Sequence, residues 1–399
     1  MKYLILVGDG MGDLPIAELG GRTPLAAART PAMDRLAANG ELYLLRTVPE
    51  GYPPGSDVAN LSLAGYRPVD CYTGRAPLEA ASMGVELADG EIAFRCNLVT
   101  VAQGDDGGLT MVDYSAGHIS TSEARQLIEA LARELGNDLL RLYPGVSYRH
   151  LLVYKGETNG LVTVPPHDHT GRVVSEYRDR YRAVPPLAEL MARATPILAD
   201  HPVNRARVAK GLNPANGIWL WGEGKAPSMQ TLQEQYGISG ALISAVDLLK
   251  GIGVYAGMEI INVPGATGYL DTNYQGKVEG ALAALRDKDL VFVHVEAPDE
   301  AGHQGLLAEK MQAIEDFDQR IVQPIVDGLA GTDFRLAVAM DHFTPLSIRT
   351  HSDQPVPVVI YDSRQQDKGS GLPYTEEAVA KNGGQLADGR RFLEALLAR

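Results

Sequence analysis

Four short apolar runs stand out along the chain, and each has about the length of one β-strand. Within them apolar residues follow one another without alternation, which is typical of strands that are covered on both faces. The runs are YLILV from Tyr3, LVFVHV from Leu290, RLAVAM from Arg335 and VPVVIY from Val356. We predict that all four are parallel strands of one buried sheet.

Helical patterns lie between these runs. TPAMDRLAANG opens with Thr30 as a candidate cap before Pro31, and it closes at Gly40. EKMQAIEDFDQRIVQPIVDGL, from Glu309, has apolar residues at helical spacing, and we expect Pro324 to kink or divide this helix. Strands that alternate with helices predict the fold class α/β, with a doubly wound, mostly parallel sheet.

The middle of the chain has a different pattern. It holds further strand-like runs, IAFRCNLVTV, HLLVYKG and GIWLWG, and the amphipathic helix STSEARQLIEALAREL. Because the four buried strands lie on both sides of this region, the simplest organisation is one domain inserted into another. We predict a first segment of the main domain at 1–78, an inserted α/β cap domain at 79–240 and a second segment at 241–399.

Composition narrows the class of protein. A chain of 399 residues is too long for one ordinary core, and a net charge of −14 argues against nucleic acid or an anionic membrane as the main partner. No apolar run approaches the ~20 residues needed to span a bilayer. Cys71 and Cys96 lack metal or redox spacing, so we expect reduced thiols and a cytoplasmic protein.

Acids and histidines stand at the ends of the predicted strands, where ligands bind in open α/β sheets. Taken singly, each is an ordinary turn or cap residue, but together they indicate a metal site. Three carboxylates and three imidazoles suit two ions of the Mn²⁺ or Zn²⁺ kind. The six residues are Asp9, Asp299, His303, Asp341, His342 and His351.

A candidate nucleophile lies in the segment GYPPGSDVANLSLAGYRP. Ser56 follows Pro-Pro-Gly at the predicted start of a short helix, where the helix dipole favours an alkoxide or a phosphate. Alone, Ser56 reads as a helix cap. Ser62 is a rival nucleophile, but it falls inside the predicted helix. Beside a metal site, Ser56 is the better candidate.

Six motifs together resemble the archaeal-type cofactor-independent phosphoglycerate mutases, a branch of the alkaline phosphatase superfamily. They are GDGMGD, PPGSDVANLSLAGY, YTGRAPLEA, VPGATG, EAPDEAGH and MDHFTP. The resemblance implies an alkaline phosphatase-like metal domain with an inserted substrate-binding cap. It also implies interconversion of 3-phosphoglycerate and 2-phosphoglycerate, a reaction of glycolysis and gluconeogenesis, with two divalent ions, Mn²⁺ or Zn²⁺, and Mg²⁺ as an alternative.

The resemblance also assigns roles to residues. It implies that one ion is held by Asp9, Ser56, Asp341 and His342, and the other by Asp299, His303 and His351. Ser56 would be the residue that becomes phosphorylated. Phe343 follows His342 where many relatives in the wider superfamily have glycine, so analogy with ordinary phosphatases is weaker.

The substrate is expected to be small and phosphorylated, and the cap is expected to exclude water from it. The side chains that clamp the substrate would be cations or hydrogen-bonding groups of the cap. For each of them the alternative is a solvated surface charge. The candidates are Arg75, His118, His167, Asp168, Arg172, Arg205, Arg207 and Lys225.

Three other readings stay open. The same scaffold could carry a homoserine kinase, although no nucleotide-binding motif is evident, or a plain phosphomonoesterase. The third alternative is not an enzyme but a metal-binding protein without catalysis. The complete set of site residues argues against it. The sequence gives no oligomeric state.

Overall fold

The computed structural model describes residues 1–104, 107–365 and 369–398. Its strands are β1 (Lys2–Gly8), β2 (Glu41–Leu45), β3 (Glu91–Gln103), β4 (Leu109–Asp113), β5 (Leu140–Val146), β6 (Arg149–Lys155), β7 (Gly217–Gly224), β8 (Gly240–Ile243), β9 (Glu259–Ile260), β10 (Leu290–Val295), β11 (Phe334–Ala339), β12 (Val356–Asp362) and β13 (Gly384–Leu386).

Its α-helices are α1 (Pro24–Ala27), α2 (Pro31–Ala38), α3 (Ser56–Leu63), α4 (Pro68–Cys71), α5 (Arg75–Ser82), α6 (Thr121–Leu135), α7 (Ser175–Asp179), α8 (Pro185–Asp200), α9 (Pro202–Ala209), α10 (Leu232–Tyr236), α11 (Asp247–Tyr255), α12 (Tyr274–Ala284), α13 (Ala297–Gln304), α14 (Leu307–Phe317), α15 (Gln323–Gly328), α16 (Glu376–Asn382) and α17 (Gly389–Leu397). Short 3₁₀ turns span Ala17–Leu19, Pro166–His169 and Arg180–Ala183.

The chain forms two compact units. The main unit comprises Met1–Tyr72 and Ser228–Arg399, and the inserted unit is Thr73–Pro227. Both ends of the inserted unit lie earlier than the predicted 79 and 240. The reason is that α5 carries Glu79, which is ion-paired with Arg95 of β3, whereas β8 pairs with β10 in the main sheet.

The main unit is built on an eight-stranded sheet in the order β13-β2-β12-β11-β1-β10-β8-β9. All six residues of β10 and of β11 are buried, which confirms that these apolar runs are covered on both faces. Neighbouring strands are parallel except at β12, which is antiparallel to β11 and β2. The α/β class with a mostly parallel sheet is therefore confirmed.

The prediction of a parallel strand at VPVVIY is wrong. No helix lies in the connection between β11 and β12, residues 340–355, all of which the structure describes. Parallel neighbours need a crossover, usually a helix, to carry the chain back to the starting edge. β12 instead starts at the edge where β11 ends.

Two helix predictions have different outcomes. Thr30 precedes α2, but its side chain makes no cap hydrogen bond. The carboxylate of Asp318 accepts hydrogen bonds from the backbone N–H groups of Ala32 and Met33 instead, so the cap comes from a distant segment. The division at Pro324 is confirmed, because a π-helical turn at Asp318–Val322 separates α14 from α15.

The inserted unit has an antiparallel sheet in the order β4-β3-β6-β5, with β7 also paired to β3. Apolar residues of α6 and α8, such as Leu127 and Leu190, share one buried cluster with Phe94 and Leu98 of β3. These contacts give the unit its own hydrophobic core.

Cys71 and Cys96 are free and buried, as expected for reduced thiols. In the described parts of the chain, no helix is long and apolar enough to cross a bilayer.

Candidate functional site

Four segments of the main unit bring their predicted site residues to one edge of the large sheet. Asp9 follows β1, Asp299 lies in α13 just after β10, and Asp341 follows β11. These three strands are parallel, so their carboxyl ends share an edge. His351 precedes β12, and the antiparallel direction of β12 brings it to the same edge.

The first group of donor atoms surrounds the imidazole of His342. Its Nε2 lies 3.5 Å from Oδ1 of Asp9, 3.3 Å from Oδ2 of Asp341 and 3.1 Å from Oγ of Ser56. Asp9, Asp341 and His342 are each at most 1% exposed. Burial of three ionisable side chains together is costly unless a counter-ion compensates them.

The second group is centred on Asp299. Its Oδ2 lies 3.2 Å from Nε2 of His303, its Oδ1 lies 3.5 Å from Nε2 of His351, and the two Nε2 atoms are 2.9 Å apart. Asp299 and His303 are four residues apart on α13, so they lie on one face of the helix, as their spacing predicts. The groups adjoin, since donor atoms of Asp9, Asp299 and His342 lie within 4.8 Å of one another.

The three imidazoles share one orientation. Nδ1 of His303 contacts the carbonyl oxygen of Arg349 at 3.0 Å, and Nδ1 of His351 contacts that of Pro54 at 3.4 Å. Nδ1 of His342 lies 3.2 Å from the hydroxyl oxygen of Thr344. In each ring Nε2 is therefore turned toward the carboxylates. Metal-bound histidines characteristically donate their other N–H to an oxygen in this way.

Electrostatics also favour a cation. Burial, with the nearby charges of Asp341 and Asp299, raises the pKa of Asp9 well above its usual value. Oδ1 of Asp9 is buried and accepts no hydrogen bond among the described residues. The hydrogen bond to Asp299 raises the pKa of His303 to about 9. Carboxylate oxygens and imidazole nitrogens fit divalent ions such as Mn²⁺ or Zn²⁺, so the residues suit the implied metals.

Ser56 is the first residue of α3 and is not its cap, because Gly55 occupies the cap position. The Ser56 hydroxyl is directed at His342, whereas Ser62 is buried and donates its hydroxyl proton to the carbonyl oxygen of Thr47. The geometry therefore favours Ser56 over Ser62 as the nucleophile.

Sequence reasoning missed two buried side chains that hold the first group. Nε2 of His294 lies 3.0 Å from Oδ2 of Asp9, and its Nδ1 lies 3.3 Å from Oγ of Ser244. The amide of Asn60 donates to Oδ2 of Asp341 at 2.9 Å and to the carbonyl oxygen of Ser56 at 3.0 Å. A histidine inside the buried run LVFVHV was the available signal for His294.

A buried lysine joins two loops of the site. Nζ of Lys310, from α14, donates to the carbonyl oxygens of Gly12 and Thr344 and to Oδ2 of Asp13. Lys310 and Asp13 are at most 2% exposed. This ion pair ties the loop after β1 to the loop after β11.

The inserted unit brings three arginines together around one acid, a group that we term the arginine cluster: Arg75, Arg95, Arg149 and Glu79. Glu79 binds Arg95 at 2.9 Å and Arg75 at 3.0 Å. Although burial opposes it, the charges of Arg95, Arg75 and Arg149 lower the pKa of Glu79. The cluster is therefore net positive. Of its arginines, only Arg75 was among the predicted clamps.

Two predicted side chains lie beside aromatic rings of the inserted unit. The ring of His167 packs 5.4 Å from that of Trp221, over which Arg95 also lies at 4.2 Å. The side chain of His167 is 47% exposed, yet its partial burial and the charges of Arg95 and Arg75 lower its pKa against the opposing charge of Asp168. His118 is exposed and contacts Tyr114 edge-on, with ring centres 6.2 Å apart.

The remaining predicted clamps differ in how they are held. Asp168, Arg172, Arg205 and Lys225 are exposed, and Arg205 pairs with Asp200 at 2.7 Å. Arg207 is only 4% exposed, and its guanidinium binds Glu123 and the carbonyl oxygens of Ala116 and Asn213. Because these internal partners engage it, Arg207 stabilises the inserted unit, and we do not retain it as a substrate clamp.

Comparison with known proteins identifies the family. A family model described as 2,3-bisphosphoglycerate-independent phosphoglycerate mutase matches residues 37–204. A protein of Geobacter sulfurreducens, named a probable member of this class, is 53% identical over 400 residues and 100% of both chains. One from Methanosarcina acetivorans, named 2,3-bisphosphoglycerate-independent phosphoglycerate mutase, is 56% identical over 387 residues and 96% of both chains.

Solved structures agree. A Pyrococcus horikoshii protein, 29% identical, gives a TM-score of 0.83 over 100% of this chain and 96% of that one. The cofactor-independent phosphoglycerate mutase of Thermoplasma acidophilum, 28% identical, gives 0.66 over 100% and 99%. The chain belongs to the archaeal-type branch of the 2,3-bisphosphoglycerate-independent phosphoglycerate mutase family.

Proposed function

We propose that the protein interconverts 3-phosphoglycerate and 2-phosphoglycerate through a phosphoserine at Ser56. The observation that carries this proposal is the Ser56 hydroxyl, 3.1 Å from Nε2 of His342 and beside two adjoining groups of carboxylates and imidazoles. The names of the relatives support the substrate and the independence from bisphosphoglycerate. The same proposal assigns the enzyme to glycolysis and gluconeogenesis in the cytoplasm.

Two divalent ions are part of the proposal, Mn²⁺ or Zn²⁺, with Mg²⁺ as the alternative. One would be held by Asp9, Ser56, Asp341 and His342, and the other by Asp299, His303 and His351. Such ions, when bound, lower the pKa of a coordinated hydroxyl and neutralise charge on the phosphoryl group.

Ser56 supplies the nucleophile in this scheme. Its Oγ forms a bond to phosphorus as the bond from phosphorus to the glycerate oxygen breaks. The proton that Ser56 loses is balanced by the proton that glycerate gains. Glycerate then presents its other hydroxyl, and the reverse transfer regenerates Ser56. Ser56 lies at the N-terminus of α3, where the helix dipole favours the negative phosphoryl oxygens.

The arginine cluster is proposed to bind the anionic ends of the substrate. Three guanidinium groups around one carboxylate leave net positive charge, and guanidinium binds both carboxylate and phosphate in a bidentate manner. His118 and His167 remain candidates for contacts to the glycerate hydroxyls.

An enolase-coupled assay with Mn²⁺ and no bisphosphoglycerate tests the reaction. We expect turnover of 3-phosphoglycerate, and a loss of at least about a thousandfold in Ser56→Ala. Ser62→Ala is the matched control and should stay within about tenfold of wild type, because among the described residues the Ser62 hydroxyl bonds only the carbonyl oxygen of Thr47. Normal turnover by Ser56→Ala would exclude this nucleophile. ATP-dependent phosphorylation of homoserine without mutase turnover would favour the kinase reading.

The same assay tests the substrate contacts. Arg75→Met should raise KM for 3-phosphoglycerate about tenfold, because one bidentate partner of the anion is lost. Arg205→Met is the control, since Arg205 is exposed and paired with Asp200. Equal KM values in both variants and the wild type would remove the cluster from substrate binding.

A further inference from the structure

Thr344 contacts one side chain from each group of the site. Its hydroxyl donates a hydrogen bond to Oδ1 of Asp299, in the second group, and lies 3.2 Å from Nδ1 of His342, in the first. Thr344 is completely buried. The motif MDHFTP includes this threonine, but the phosphoryl transfer proposed for Ser56 gives it no role.

The two contacts together fix where the protons lie. A hydroxyl has one proton to donate, and an ionised carboxylate can only accept. Since the Thr344 proton goes to Asp299, its oxygen must accept the N–H of His342 at Nδ1. Nε2 of His342 then keeps its lone pair, and this is the atom that faces Ser56 at 3.1 Å. A neutral imidazole with a free Nε2 is the form that binds a metal ion.

In the other two imidazoles the backbone, and not a side chain, holds the proton on Nδ1. Nδ1 of His303 and of His351 face backbone carbonyl oxygens, which can only accept a proton. His342 alone among the three depends on a side chain for this selection. Loss of the threonine hydroxyl therefore affects His342 in a way that no backbone group compensates.

The surroundings hold Thr344 in this position. Its N–H donates to the carbonyl oxygen of Gly12 at 3.1 Å, and its own carbonyl accepts from Lys310 at 2.8 Å. A Cβ atom at Gly10 would lie 2.6 Å from the Thr344 hydroxyl oxygen, and one at Gly302 would lie 2.7 Å from its carbonyl oxygen. Glycine at both positions gives the threonine the space that it occupies.

We propose that Thr344 is a positioning residue that couples the two metal groups, by holding His342 with Nδ1 protonated and Nε2 free while it orients the carboxylate of Asp299. The proposal rests on the proposed two-ion site, and it assigns Thr344 no contact with substrate. When the hydroxyl is removed, both groups should therefore lose affinity for their metal ions together.

Metal binding to the purified full-length protein tests this. Equilibrium dialysis against MnCl₂, with bound Mn²⁺ counted by electron paramagnetic resonance, should give two ions per chain for the wild type. Thr344→Val keeps the shape and removes the hydroxyl, and it should lower the affinity for both ions about 10- to 100-fold. Thr344→Ser restores the hydroxyl and should bind within a few-fold of wild type. Wild-type affinity in Thr344→Val, or loss at only one site, would overturn the coupling.

A second measurement needs no variant at this position. Nitrogen-15 spectra of metal-free wild type, with His342 assigned by its loss in His342→Asn, should show this imidazole protonated at Nδ1. Protonation at Nε2 would overturn the proposal even if Thr344→Val does not fold. Failure of the proposed function is a separate outcome, in which two Mn²⁺ ions bind and the coupled mutase assay shows no turnover.

Discussion

Each imidazole of the site is oriented by the atom that its other nitrogen contacts. Under the proposed function, this orientation separates the histidines that would bind an ion from the one that would orient a ligand. His303, His342 and His351 turn Nε2 inward, with Nδ1 on an oxygen. His294 differs, since Nε2 contacts Oδ2 of Asp9 and Nδ1 contacts Ser244. Both of its nitrogens are engaged, so we expect it to orient Asp9, leaving Oδ1 of Asp9 for the metal.

His294→Phe should lower Mn²⁺ affinity about 10- to 100-fold, because Asp9 loses the group that fixes its orientation. His150→Phe is a matched control. Both histidines are buried, and burial lowers the pKa of each to about 3, but His150 lies on β6 and its Nδ1 accepts a hydrogen bond from Gly145. Equilibrium dialysis measures both variants. Wild-type affinity in His294→Phe would show that Asp9 needs no such support.

At the scale of elements, the site depends on where strands end and on what holds the loops that follow them. The antiparallel direction of β12 brings His351 to the edge at which β1, β10 and β11 end. Lys310 of α14 then ties the loop after β1 to the loop after β11 through Gly12, Asp13 and Thr344.

Lys310→Met should lower the free energy of unfolding by about 3–5 kcal/mol, since it leaves the buried carboxylate of Asp13 without its cation. Urea unfolding of the metal-free protein measures this. The double variant Lys310→Met with Asp13→Asn should regain part of the loss, because the unpaired charge is gone. Both the single and the double variant should bind Mn²⁺ more weakly than the wild type, since each lacks the lysine that ties the two loops. Unfolding of Lys310→Met at the wild-type urea concentration would contradict this account.

The elements also show what the sequence could predict. Strands buried on both faces produce continuous apolar runs, so β1, β10 and β11 were evident. Strand direction leaves no such trace, because an apolar run reads alike in both directions, and β12 was therefore misjudged. The prediction that Thr30 caps α2 was wrong because the capping carboxylate belongs to Asp318, nearly three hundred residues away in the sequence. His294 was missed since one polar residue hardly changes an apolar run.

For the site, the sequence predicted the types of residue better than it predicted their contacts. Aspartate, histidine and serine after strands were recognisable because turns do not require histidine. Lys310 and the arginine cluster were not, because a charged residue in a helix or strand normally reads as solvent-exposed. Arg95 and Lys310 are buried, and only the tertiary structure supplies the partners Glu79 and Asp13 that make this tolerable.

At the scale of the whole molecule, the chain separates two kinds of chemistry. The main unit carries Ser56 and both groups of metal-type donors, and the inserted unit carries the arginine cluster. The two ends of the inserted unit are adjacent, since the hydroxyl of Thr73 donates to the carbonyl oxygen of Lys225 at 2.6 Å. A domain whose two ends are adjacent can be inserted into a second domain without disrupting the sheet of that second domain.

Trapping the phosphorylated enzyme tests the central claim most directly. The full-length protein, incubated with 3-phosphoglycerate and Mn²⁺ and quenched in acid, would be digested and its peptides sequenced by mass spectrometry. The account predicts phosphate on Ser56, in Ser62→Ala as in the wild type, and none at this position in Ser56→Ala. An enzyme that turns over substrate while Ser56 stays unmodified, or that carries the phosphate on another residue, would contradict it.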